Sequence, residues 1–339
     1  MKRDSYWDSL KFVLIFIVVL VHCVGSYKPV GGVNQALYNF LITFVMPSFI
    51  FVSGMFSQIN DKSKYKLGIL RLLETYIVFQ LIRAIIILIS GNITLKSIAA
   101  IIVYPKYTLW YLLSLIYMRL MVYFIPEKIL REKSTRIILI SFLISLLGGF
   151  IPIDSHFSIQ ETICFLPFFF MGYYAKNIQV KQYIAKIPPI LAFGVLISAF
   201  LIIFFIFNYN LNFILLGHKS YWSNVEFSPL ILCLSRFVFL LSAIVMGSMV
   251  MRLVLTSPLF PQWGRITLFI YIYHSFLIQA FRFVIRHGYL PQTELICIAM
   301  SVIIIIGLIC VSKIRIFNIL LNPVSYIQDR VRKSRNEVE

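Results

Sequence analysis

"WDSLKFVLIFIVVLVHCV", residues 7–24, begins with charged side chains, runs into hydrocarbon and then carries a histidine. A helix turns about 100° per residue, so Lys11 and His22, 11 steps apart, share a face. Asp8, Ile15 and Val18 fall on or near that stripe, and Asp8 and Lys11 are close enough in sequence to pair. His22 then lies about 16 Å deeper than Lys11 by helical rise. The opposite side of the helix is apolar and suits lipid or packed helices. An ionisable group in hydrocarbon costs several kcal/mol, so His22 needs a reason. One is a hydrogen bond that ties the helix to a neighbour. The other is a general base or proton relay reached through a hydrated passage, since imidazole titrates near about pH 6.5.

The rest of the chain repeats the apolar theme. Of its 339 residues 60% are hydrophobic and 13% charged, with mean hydropathy +0.89. A soluble domain carries about twice that charged fraction. Apolar runs near 20 residues recur throughout, which predicts an all-α, polytopic membrane helical bundle of about ten transmembrane helices. They fall near 9–27, 37–57, 69–90, 108–125, 137–153, 162–175, 188–207, 229–250, 265–285 and 293–312. The stretch 98–103 is too short to span and reads as re-entrant. Residues 1–320 form the membrane domain and 321–339 a basic, partly disordered tail. Lysines and arginines concentrate in alternate loops, which places both termini in the cytoplasm.

The net charge of +18 is explained by this topology, and no nucleic-acid partner is expected. The first segment lacks a small-x-small cleavage site and carries His22, so it does not read as a cleaved signal peptide. The five cysteines lie in apolar segments at spacings that suit neither zinc nor a disulfide framework, and no metal is expected. No internal repeat is visible, which counts against a repeat-built transporter.

Several motifs then resemble one family, the integral-membrane acyltransferases of type 3, which O-acylate bacterial surface sugars, with the fucose 4-O-acetylase-like branch nearest. That family opens with a basic residue, ten residues and a histidine, matched here by Lys11 and His22 within "RDSYWDSLKFVLIFIVVLVH" (3–22). The glycine usual before that histidine is Val21 here, and the histidine usual before Met46-Pro47 is Val45. "MPSFIFVSG" (46–54), "KLGILRLLETYIVF" (66–79), "LWYLLSLIYMRL" (109–120), "FLPFFFMGYYAKN" (165–177) and "WGRITLFIYIYHSFLI" (263–278) resemble later signatures in order.

The resemblance implies an acyl-CoA donor, acetyl-CoA in the usual case, and a hydroxyl of a glycan or lipid-linked sugar as acceptor, at the bacterial inner membrane. It implies His22 as the catalytic base, with Asp8 and Lys11 on its stripe. The anionic donor would meet Lys66 and Arg71, with Trp110, Tyr111 and Arg119 along its tunnel. Glu161, Arg236, His274 and Arg282 would face the acceptor or support the site. The arginines within the spans could equally snorkel or form structural pairs, and Glu74 and Glu161 are their obvious anionic partners. The alternative is a proton-coupled transporter or flippase of a sugar or acyl donor with His22 as relay. Acyl length, acceptor identity and oligomeric state are not encoded in any pattern legible here.

Overall fold

The computed structural model of the chain describes residues 4–27, 31–89, 103–105, 108–176, 178–207, 211, 215, 217, 219–223, 226–291 and 293–328. Among them the protein is all-α, with no strand. The helices are α1 (Ser5–Val24), α2 (Gly32–Met55), α3 (Lys62–Ile89), α4 (Leu109–Phe124), α5 (Glu127–Glu132), α6 (Ser134–Gly148), α7 (Ile159–Ala175), α8 (Val180–Ala185), α9 (Pro189–Ile206), α10 (Pro229–Thr256), α11 (Thr267–Arg286), α12 (Glu294–Val311) and α13 (Arg315–Leu321). Each of the ten predicted segments holds a helix. Seven are long and apolar enough to cross a membrane, while α4, α6 and α7, of 16, 15 and 17 residues, fall short on length. The predicted re-entrant stretch, Lys28, Lys96, Lys106, His218 and residues 329–339 lie outside the described residues, apart from Val103.

The start of α1 marks one end of the bundle, termed basal; the other end is apical. Asp4 caps α1 by accepting the Tyr6 N–H at 3.0 Å. Beyond Ser5 no residue of α1 is exposed. Helices α2, α10, α11 and α12 enclose it, together with the 3-10 turn Pro261–Arg265. The apolar side of α1 therefore meets protein, not lipid. Tyr6 donates its hydroxyl to the Met251 carbonyl at 3.1 Å, which fixes the basal end of α1 on α10. Gly264 allows the turn to press on α1: a Cβ there would stand 2.1 Å from the Asp8 carbonyl oxygen.

Helices α2 and α7 meet backbone to backbone through two glycines. A Cβ on Gly54 would lie 2.0 Å from the Phe169 oxygen, and one on Gly172 would lie 1.9 Å from the Phe51 oxygen. Small residues drive such contacts in hydrocarbon, where dispersion replaces the hydrophobic effect. Part of the expected tail is ordered. Glu74 accepts from the Ser325 hydroxyl at 2.6 Å, the Ser325 N–H at 3.2 Å and the Val324 N–H, at the head of a helical turn over 323–328. Glu74 therefore caps the tail, rather than pairing with an intramembrane arginine. Of the five cysteines, Cys23, Cys164 and Cys297 are buried, Cys233 is half-buried and Cys310 is exposed.

The reciprocal glycines give a test. Gly172→Ala forces α2 and α7 apart and should cost about 1–3 kcal/mol, the usual scale of overpacking. It should lower the thermal unfolding midpoint in detergent, whereas Gly194→Ala, with open space around its Cβ position, should leave it unchanged.

Candidate active site

His22 stands two residues from the end of α1, towards the apical side. The structure brings it against His274 of α11, with ring centroids 5.2 Å apart and the planes tilted by 40°. The two imidazoles are not equivalent. His22 keeps accessible surface, while His274 is fully sealed. His274 Nδ1 lies 3.1 Å from the Ile270 carbonyl oxygen. A carbonyl can only accept, so Nδ1 carries the proton and Nε2 the lone pair. That Nε2 is buried with no hydrogen-bond partner among the described residues. It is therefore a ready acceptor beside the more open ring.

A line of polar groups leads from this pair to the basal end. The Tyr271 ring lies 5.9 Å from His274 and 4.9 Å from Tyr111. The Tyr271 hydroxyl donates to the Thr108 carbonyl at 2.9 Å, and the Tyr111 hydroxyl shares a 2.6 Å hydrogen bond with Ser53. Just past the end of α2, Ser57 accepts from Arg119 Nε at 3.1 Å. Beneath Arg119 a cavity of about 720 Å³ opens at the basal end, lined among others by Gln58, Lys62, Tyr123, Arg131 and Tyr173. Tyr65 stacks on Tyr123 and donates its hydroxyl to the Arg119 carbonyl at 3.2 Å, which joins α3 to this wall.

The stripe read on α1 takes a different part. Asp8 and Lys11 do pair, at 2.7 Å, and the Lys11 ammonium lies 5.0 Å over the Phe56 ring, beside Ser57. Between Lys11 and His22, however, Ile15 and Val18 are packed shut, at 0% and 3% exposure. The shared face is real, but it is no open passage. Lys66 is exposed and Arg71 half-buried, and neither lines the basal cavity. Trp110 sits at the apical start of α4, against Phe165, so it belongs to the opposite end from that cavity.

On the apical side the predicted residues separate. Arg282 of α11 donates from Nε to the Ser26 hydroxyl at 3.2 Å, and Ser26 donates in turn to the His22 carbonyl at 2.6 Å. Arg236 is buried elsewhere, donating to the carbonyls of Ser145 and Lys219 at 3.1 and 3.3 Å with its guanidinium over Tyr221. It clamps the apical loop to α6 and does not face the imidazoles. Glu161 opens α7 with its carboxylate turned inward, and its Oε2 has no hydrogen-bond partner among the described residues. Ser53, Ser57 and Ser26 were missed from sequence. Their only signal was a pair of hydroxyls four residues apart, at the basal end of α2 and just past it, and one turn beyond His22.

The molecule is a membrane helical bundle with an imidazole pair near one end and a wide cavity at the other, joined by polar side chains. Residues 4–312 match a protein-family profile described as an acyltransferase domain, and the chain belongs to acyltransferase family 3. It is a membrane acyltransferase. No curated protein and no solved structure shows a significant match to it.

The apical clamp has a pH signature. Asp154, in the loop between α6 and α7, accepts from the Ser220 N–H at 2.9 Å and the Ser223 hydroxyl at 2.6 Å. Burial pushes this carboxyl up, but the Ser223 and Ser220 hydrogen bonds and Lys219 together hold it below the usual carboxylate range. A depressed folded value adds stability above the unfolded value of about 3.9, and that stability is lost as pH falls through the folded one. Hydrogen exchange over residues 220–223, corrected for intrinsic pH dependence, should rise as pH drops from about 5 to about 3. In Asp154→Asn the exchange should be fast throughout.

Proposed function

We propose that this acyltransferase moves an acyl group, acetyl in the simplest case, from cytoplasmic acyl-CoA to a hydroxyl of a cell-surface glycan or its lipid-linked precursor. The fucose 4-O-acetylase-like enzymes are the branch its motifs resemble. The observation that carries this reading is the accessible His22 ring, backed by His274 and connected by polar side chains to a large basal cavity.

The basal end carries Lys62, Lys64 and Lys66, then Lys128, Arg131, Lys133 and Arg136, then Lys176, Lys181 and Lys186. Such a bias marks the cytoplasmic side, and the membrane would be the bacterial inner one. The donor's anionic nucleotide suits a cavity with Lys62 and Arg131 on its wall and Tyr123 and Tyr173 as stacking surfaces. Its pantetheine arm would pass Lys11 and Arg119 and follow Ser57, Ser53 and Tyr111 upward. Ser57 and Tyr111 are themselves buried, so the arm would enter as those side chains part.

At the imidazole pair the acceptor hydroxyl gives its proton to His22 as its oxygen attacks the thioester carbonyl. The new C–O bond forms, the C–S bond breaks, and the imidazolium returns the proton to the departing thiolate sulfur. His274 has a fixed Nδ1 proton, so its Nε2 lone pair suits the other N–H of His22. It would hold that ring in the tautomer that leaves a basic nitrogen toward substrate. This is positioning through a second group, as in base–orienter pairs.

A positioned base is worth about 10²–10⁴-fold in rate. His22→Ala should lose that factor in acceptor-dependent thiol release from acetyl-CoA, with protein level and unfolding midpoint kept. His274→Ala should lose less and shift the pH–rate profile. Full thiol release and glycan O-acetylation in His22→Ala would remove the proposal. Arg119→Gln should raise KM for the donor with a smaller effect on kcat, since its contact lies on the binding path.

A further inference from the structure

Arg282 stands one step above the imidazole pair. Its guanidinium lies within electrostatic reach of His22, Cys23 and Tyr38. Of its five N–H donors only Nε–H is engaged among the described residues, on Ser26. The two terminal nitrogens are uncommitted. Arg236 is committed to two carbonyls and a ring, and Arg83 to the Tyr104 carbonyl and Gln80, whereas Arg119 towards the basal end resembles Arg282, with Nε on the Ser57 hydroxyl. The ion pairs among the described residues join Lys11 to Asp8, Lys64 to Asp61, Arg131 to Glu127 and Lys181 to Asp4. None of them reaches Arg282.

A half-buried guanidinium with no ion-pair partner among the described residues is costly inside a membrane bundle. The forked donors left open match a planar carboxylate or a phosphate in bidentate contact. The seat is also built. Ser26 is held by donating to the His22 carbonyl, so the hydroxyl that positions Arg282 is tied to the backbone of the base-bearing residue. Gly25 makes room for Tyr38: a Cβ there would stand 2.9 Å from its ring.

We propose that Arg282 binds a fixed negative charge on the acceptor, a carboxylate or a phosphate placed near the hydroxyl to be acylated, so that the acceptor is an anionic sugar. This rests on the acyl-transfer reading for its place in the reaction, since it assigns the apical side of His22 to the acceptor. The guanidinium acts through substrate recognition, with Ser26 standing between it and the α1 backbone.

The test uses the full-length protein in lipid nanodiscs and three probes: methyl glucuronide, glucose 1-phosphate and neutral methyl glucoside. Binding is read from the shift in thermal unfolding midpoint against probe concentration. At least one anionic probe should bind about tenfold or more tighter than the neutral one, the scale of one charge-assisted hydrogen-bond pair. The better anion identifies the carboxylate or phosphate form. Arg282→Gln should bring the ratio to within about twofold, Arg282→Lys should keep part of it, and Arg286→Gln, exposed one turn further on, should keep all of it. Equal binding of charged and neutral probes, a preference that survives in Arg282→Gln, or no anion binding at all overturns the inference. Binding is measured without acyl transfer. A protein that prefers the anion through Arg282 yet releases no thiol would sink the acyl-CoA reading and leave the charge preference standing.

Discussion

Hydrocarbon offers no hydrogen-bond partner, and the position of nearly every ionisable side chain in this protein follows from that constraint. Asp8 can be buried because Lys11 lies one turn away on the same helix. Arg236 can be buried because two carbonyls and an aromatic face receive it. Glu74, inside the third helix, is taken up by the first turn of the tail. His22 and His274 satisfy the same constraint by different means, one through accessible surface and the other through the backbone of its own helix. A histidine that keeps accessible surface and makes no side-chain hydrogen bond among the described residues is the exception that can do chemistry, because its proton acceptor is left uncommitted.

Helix α1 is wrapped by four helices and a turn, so the ring near its end is shielded from lipid at its side. Helix α2 lies so close to α7 that its glycines touch backbone. On α2 the Ser53 hydroxyl then meets Tyr111 of α4, and just past its end Ser57 meets Arg119 of α4. The polar line then joins α2, α4 and α11, three helices whose other faces are hydrophobic. None of these residues is charged except Arg119 at the basal end, which is where bulk water is nearest.

Much of the fold was legible because bilayer thickness sets a segment length that single residues cannot disguise. The ten apolar runs all hold helices, and three of those are too short to cross a membrane unaided. His22 was legible for the same reason: a histidine in an apolar run stands out. The pairing with His274 was not, because 252 residues separate them and helical periodicity says which face a side chain takes, not what it meets. The stripe from Lys11 to His22 shows that limit well. Its geometry was read correctly, yet Ile15 and Val18 on it are packed, since an apolar residue on a functional face looks the same whether it lines a passage or closes one. Arg236 and Arg282 looked alike in sequence, and only the partners each one meets separate a clamp from an open cation.

On the proposed reading, depth itself serves the chemistry. A thioester already carries the energy for transfer, so its main competitor is water. A base near the apical end of α1, with sealed aliphatic residues beneath it on its own helix, meets the donor only after the pantetheine arm has filled the polar path. Occupying that path displaces the water that would otherwise attack the carbonyl. The aromatic rings of Tyr111, Tyr271 and Phe49 are in mutual contact along it, so they present a narrow wall rather than a pool. The acceptor comes from the other end, and its hydroxyl must displace the last solvent from His22 to reach it. A site built between two compartments can thus favour the alcohol over water by geometry alone, because neither substrate's own entry leaves a continuous column of solvent behind it.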